Sequence, residues 1–276
     1  MICLDLDGTL LRSDKSIDIN TANILNKLSY EGVEIVIATG RHYDFAKLLT
    51  RGLTDNRIII ANNGAAIYDA YLEKALFTEY IDIDIVSGII ETGKTKDMNA
   101  LVYIDALREG SDLLVVEDHD ISQFENTIVR DLNRVGYFCD PFQVASVLSV
   151  VFTDYTEKLE ELEKRINELF PNQITTHIMS SKKSTHGILE VMKHGVCKWS
   201  AIERLARYKN IKLEEIIAFG DEVNDITMLK NSGLGIAMKN AQPEAISSAD
   251  RISMYSNDNE GIFHELSKIF PNWEAL

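Results

Sequence analysis

Apolar positions along the chain follow two alternating patterns. Short continuous runs at 1–4, 33–38 and 58–61 read as interior strands of a parallel sheet, buried on both faces. Between them, residues 20–31 place Ala22, Leu25 and Leu28 at helical spacing with Gly32 as the stop, and 42–50 fits a second helix. This βαβαβ order predicts an α/β fold, a doubly wound parallel sheet with right-handed crossovers. After about residue 66 the order changes. Residues 66–69 and 75–79 predict a β-hairpin. Helices are expected near 83–96, 121–133 and 155–169, among strands at 100–104, 113–117, 147–152, 174–179 and 187–192. The 155–169 helix is heavily charged, with Leu159, Leu162, Ile166 and Leu169 as its inward stripe. Strands adjacent in sequence imply a mixed or antiparallel sheet and hence a second domain. From Lys198 the alternating order returns, with helices at 198–208, 226–230, from Pro243 and at 261–270, and strands at 216–219, 234–238 and 251–253. The expectation is a discontinuous core domain, 1–80 and 188–276, interrupted by an inserted α/β domain, 81–187.

A chain of 276 residues, 45% of them apolar, has enough material for two such domains. Its 28 Lys and Arg against 43 Asp and Glu give a formal charge of −15. That balance argues against nucleic acid and anionic membranes as partners. It also means that an anionic ligand can be held only where local cations overrule the global field. The chain has no apolar run long enough for a bilayer and no basic-then-apolar leader. Its three cysteines, Cys3, Cys139 and Cys197, lack the spacing of a zinc site or a disulfide framework, so a cytoplasmic location is expected. Cys3 reads as a small core residue.

Against this acidic background the first strand runs into Asp5-Leu6-Asp7-Gly8-Thr9. In open α/β sheets, ligands bind beyond the carboxyl ends of the strands. Two acids there are costly unless something positive joins them, and a divalent cation with a phosphate ester would do so. Thr39-Gly40 follows the second strand, Gly220-Asp221-Glu222-Val223-Asn224-Asp225 follows a later one, and Lys198 opens a helix. Singly these read as a turn, helix-start acids and a surface lysine. Together they contain a nucleophile, a metal site, phosphate donors and a cation, the set that phosphoryl transfer needs.

In these segments the chain resembles the haloacid dehalogenase superfamily of phosphatases, and within it the Cof-type branch with a large α/β cap (class IIB). Asp5 to Leu11, Ala38-Thr39-Gly40-Arg41, Lys198 and Gly220 to Asp225 match its four motifs in order, and Asn63-Gly64-Ala65 also resembles its usual sequence. The resemblance implies a Rossmann-like core, an inserted cap that selects substrate, and Mg²⁺-dependent hydrolysis of small phosphorylated metabolites, such as sugar phosphates or phosphorylated cofactors. It implies Asp5 as nucleophile through an aspartyl-phosphate, and Asp7 as acid and then base. The implied metal ligands are Asp5, Asp7 (by its backbone carbonyl) and Asp221. Leu6, Thr39, Gly40, Lys198 and Asn224 would hold phosphate, Asp225 would orient the site or Lys198, and Glu222 would reach the metal through water. A monomer or weak homodimer is expected. A phosphomutase or a non-catalytic binding protein on the same scaffold stays open as an alternative. Trp199 stands where the family usually has a glycine after the lysine. Candidate substrate contacts in the insert are the 180–186 segment and Tyr137-Phe138.

Overall fold

The computed structural model describes residues 1–116, 135–138, 145–180 and 186–275. The expected helix at 121–133, Cys139 and the candidate contacts at 181–185 lie outside the described residues, as do the side chains of Tyr137 and Phe138. The chain divides into two compact units, Met1–Phe77 with Cys197–Leu276, and Thr78–Val196.

The first unit is built on an eight-stranded sheet in the order β14-β13-β12-β1-β2-β3-β4-β5. Its strands are β1 (Ile2–Leu4), β2 (Ile35–Ala38), β3 (Arg57–Ala61), β4 (Ala66–Asp69), β5 (Lys74–Thr78), β12 (Ile217–Gly220), β13 (Leu234–Ala237) and β14 (Arg251–Ile252). From β14 to β3 all neighbours are parallel, and β4 returns antiparallel to β3. Helices cover the sheet, which is why β1 and β2 are apolar throughout rather than alternating. Val36, Ile58 and Ile60 meet Ile202, Leu205 and Ala206 of the helix Lys198–Lys209 in one buried cluster. The register puts Leu4 beside Ile37 on one side and Phe219 on the other. The chain therefore leaves β1, β2 and β12 at one edge of the sheet, and Asp5, Thr39 and Asp221 follow directly.

The second unit holds a six-stranded sheet in the order β10-β11-β9-β6-β7-β8. These strands are β6 (Leu101–Ile104), β7 (Leu113–Val116), β8 (Val135–Phe138), β9 (Val147–Tyr155), β10 (Ile174–Ser180) and β11 (His186–Lys193). All pairs are antiparallel except β7 with β8. Val86, Ile89 and Ile90 of the helix Ile83–Lys94 pack with Leu159, Leu162 and Ile166 of the helix Thr156–Leu169 against Val102, Val150, Phe152, Leu189 and Val191. Leu169 departs from the expected inward stripe and is 42% exposed. The ring of Phe170, seated over Gly88, fills that end of the core instead. Strand β11 pairs along its length with β9 and β10, so residues 188–196 belong to the inserted unit rather than to the core. Among the described residues no helix is long and apolar enough to cross a membrane.

Candidate active site

The centre of the site is a lysine between two carboxylates. Lys198 is 1% exposed, and its Nζ donates to Asp5 Oδ1 at 2.6 Å and to Asp225 Oδ1 at 2.6 Å. A lysine opening a helix stands at the positive end of the helix dipole, the wrong place for a cation. Burial also works against its charge, but Asp225 and Asp5 more than reverse this and raise its pKa above the usual lysine value. The helix itself is begun by Cys197, whose sulfur accepts the Ser200 N–H while Ser200 Oγ accepts the Cys197 N–H.

Asp225 is completely buried and fully engaged. Its Oδ1 takes Lys198, and its Oδ2 accepts the backbone N–H groups of Asp221 (2.9 Å) and Glu222 (3.0 Å). It thereby folds the loop after β12 and aims Asp221 toward Asp5. Asp221 Oδ1 accepts the Thr9 hydroxyl at 2.6 Å. The other oxygen of the Asp221 carboxylate lies against Gly8, where a Cβ would stand 2.3 Å away, and Gly8 has φ +80°. Both facts call for glycine after Asp7.

Carboxylate oxygens of Asp5, Asp221 and Asp225 lie within 4.8 Å of one another. With all three carboxylates ionised, one ammonium leaves two negative charges, the charge that one divalent cation would balance. Burial, then the neighbouring carboxylates, raises the Asp5 carboxyl well above its ordinary value, with Lys198 opposing. Asp221 is pushed up to about 7, chiefly by burial and by Asp225 and Glu222, against the Thr9 hydrogen bond. An all-oxygen donor set suits a hard cation such as Mg²⁺. Because both Asp225 oxygens are taken, Asp5 and Asp221 are the side chains left to bind one.

Asp7 stands apart from this cluster. Its carboxylate is held by Arg41, through Nε to Oδ2 and Nη2 to Oδ1 (2.9 Å), and by Lys15 Nζ to Oδ1 at 2.7 Å. Burial tends to raise its pKa, but Arg41 and then Lys15 prevail and hold the carboxyl below its ordinary value. Lys15 has φ 67° in a tight turn in which the Arg12 N–H bonds to Ser16 O and the Lys15 N–H to Arg12 O. Asn240 and Asn257 secure this segment by donating to the carbonyls of Gly8 and Leu11.

Thr39 is buried, and its hydroxyl oxygen accepts the Arg41 N–H at 3.1 Å, which leaves the hydroxyl hydrogen to donate elsewhere. Asn224 Nδ2 donates to Asn63 Oδ1 at 2.9 Å. Glu222 is exposed and accepts from Gln242. The site thus gathers Asp5, Asp221, Asp225 and Lys198 at one point and links Asn224 to the loop after β3. Sequence reasoning missed Thr9, Lys15 and the pairing role of Arg41, and gave Asn63 no part. Thr9 and Arg41 lie inside the motifs, so a signal was present; Lys15 carries none, because its pairing depends on a positive φ.

A family model described as haloacid dehalogenase-like hydrolase matches residues 2–266. The chain is 26% identical over 279 residues to 5-amino-6-(5-phospho-D-ribitylamino)uracil phosphatase YitU of Bacillus subtilis, covering 98% of this chain and 97% of that one. It is 28% identical over 273 residues to the HMP-PP phosphatase of Serratia proteamaculans, covering 96% and 93%. Among solved structures, a haloacid dehalogenase-like hydrolase from B. subtilis superposes with a TM-score of 0.79 at 25% identity, over 96% of this chain and 98% of that one.

Proposed function

The chain belongs to the haloacid dehalogenase-like hydrolase family, and from that premise we propose that it is a Mg²⁺-dependent phosphatase of small phosphorylated metabolites that works through an aspartyl-phosphate on Asp5. The observation that carries this reading is the buried Asp5–Lys198–Asp225 chain beside Asp221. It is a site short of two positive charges, at the strand ends where α/β sheets bind ligands. That two relatives are named for different phosphorylated substrates supports the class rather than any one substrate.

Lys198 fixes one oxygen of Asp5, which leaves the other to attack phosphorus. The P–O bond to the alcohol breaks as the Asp5–phosphorus bond forms, and the alkoxide takes a proton. Water then attacks the acyl phosphate, giving up its proton, and releases inorganic phosphate and the free carboxylate. Asp7 is the group for both proton transfers. In the state described, Arg41 and Lys15 keep it ionised, which suits the base of the second step. Serving as the acid of the first requires it to leave them and take up a proton. The Thr39 hydroxyl, the N–H groups of Leu6 and Gly40, and Asn224 would hold the phosphate oxygens, while Asp225 keeps Lys198 and Asp221 in place. Mg²⁺ held by Asp5, Asp221 and the Asp7 carbonyl would offset the repulsion between Asp5 and an incoming phosphate dianion. Selection among metabolites is assigned to the inserted unit.

The test is a phosphate-release screen across sugar phosphates, nucleotides, flavin mononucleotide and pyridoxal phosphate, with and without Mg²⁺. Metal-dependent phosphate release that is lost in Asp5→Asn supports the proposal. Isomer formation without phosphate release would make the protein a phosphomutase, and turnover undiminished in Asp5→Asn would discard Asp5 as the nucleophile.

A further inference from the structure

The loop after β3 contains three consecutive residues with positive φ, Asn62 (47°), Asn63 (50°) and Gly64 (110°). Left-handed backbone at non-glycine residues costs energy, tolerated best by asparagine, and two in succession mark a segment held by its surroundings. Asn63 is 1% exposed. Three of its contacts lead into the phosphate-holding residues. Its backbone N–H donates to Thr39 O at 2.9 Å. Its side-chain amide lies against Gly40, where a Cβ would stand 3.0 Å from Nδ2. Its Oδ1 accepts Asn224 Nδ2 at 2.9 Å. One residue therefore touches both the loop after β2, through its backbone N–H and its amide, and the loop after β12, through its Oδ1.

That contact sets the orientation of Asn224. With one Nδ2 hydrogen given to Asn63, Asn224 keeps a second hydrogen on Nδ2 and a buried Oδ1 that has no partner among the described residues. A buried, unpartnered amide oxygen is a cost that a folded chain rarely carries without use. We infer that Asn63 is a positioning residue of the phosphate site: it acts through Asn224, fixing that amide so that its second N–H and its Oδ1 are both presented to ligand atoms. The inference rests on the phosphatase reading for what the ligand is, but the positioning itself does not.

Asn63→Gly is the variant to use, because glycine keeps the left-handed backbone and removes only the amide. Two readouts separate the two claims. In ¹⁵N-resolved spectra the Asn224 side-chain amide pair, assigned by its loss in Asn224→Ala, is expected to move in Asn63→Gly while signals from the second unit stay in place. An unmoved pair overturns the inference, whatever the enzyme does. With p-nitrophenyl phosphate, Asn63→Gly is expected to lower kcat/KM by about 10- to 100-fold, the scale of a misplaced ligand-holding group. In an Asn224→Ala background the same substitution is expected to add nothing, because the two residues act as one unit. Additive losses, or a kcat/KM equal to wild type, would contradict it. If the Asn224 signals move but wild type releases no phosphate from any ester, the positioning stands and the phosphatase reading fails.

Discussion

Lys198 and Asp225 are the residues on which the rest of the site leans. Each Asp225 oxygen is committed, so Asp225→Ala takes one of the two carboxylates from the buried Lys198 ammonium, leaving it Asp5, and strips two backbone N–H groups of their acceptor. Removing one partner of a buried pair costs about 3–5 kcal/mol, and a loss of that size is expected in denaturant unfolding of this variant. Asp221 shifts the balance the other way. Its folded pKa of about 7 exceeds its ordinary 3.8, so the folded chain binds this proton more tightly than the unfolded one. Its contribution to stability is therefore complete below pH 3.8 and is lost as pH rises through 7. In metal-free protein the melting temperature is expected to fall across that range, and less so in Asp221→Asn. Added Mg²⁺ should raise it most at the upper end, where the carboxylate is ionised. A metal-free profile that rises across the same range in wild type but not in the variant would contradict this assignment.

At the scale of elements, the helix Lys198–Lys209 reaches its place because the loop after β3 lets it. Gly64 has φ +110°, and a Cβ there would stand 2.3 Å from the carbonyl oxygen of Cys197, the residue that begins that helix. Gly64→Ala should cost about 1–3 kcal/mol for the backbone alone. It should also reduce turnover by displacing Lys198, which thermal melts and steady-state kinetics on one preparation would show together. How far these elements can be read from sequence follows the same physics. The doubly wound unit was legible because strands buried on both faces are continuous apolar runs, and three of its four motifs fall where such strands end, while the other, Lys198, opens a helix. The helix Thr156–Leu169 was legible from its inward stripe, except at Leu169, where a neighbouring ring decides the packing. The end of the insert was not, since β11 looks like any buried strand until its partners β9 and β10 are known. The ties to Asp7 were hidden too: Lys15 reaches it only through a left-handed turn that has no signature in composition.

Over the whole molecule, a formal charge of −15 surrounds a site proposed to take phosphate dianions. Long-range repulsion should slow capture, and salt should relieve it. Between about 0.01 M and 0.15 M ionic strength the screening length falls from about 30 Å to about 8 Å, so kcat/KM at saturating Mg²⁺ is expected to rise. A fall would mean that the cations near the site, Lys15, Arg41 and Lys198, govern approach despite the net charge. The proposed hydrolysis passes through a covalent intermediate on one carboxylate, that of Asp5. Acid quenching during turnover, followed by borohydride reduction and peptide mass spectrometry, reads it directly, because reduction of an aspartyl-phosphate leaves homoserine. Homoserine at position 5, absent without substrate, is the predicted result. An active enzyme that yields homoserine at another aspartate and none at position 5 would contradict it.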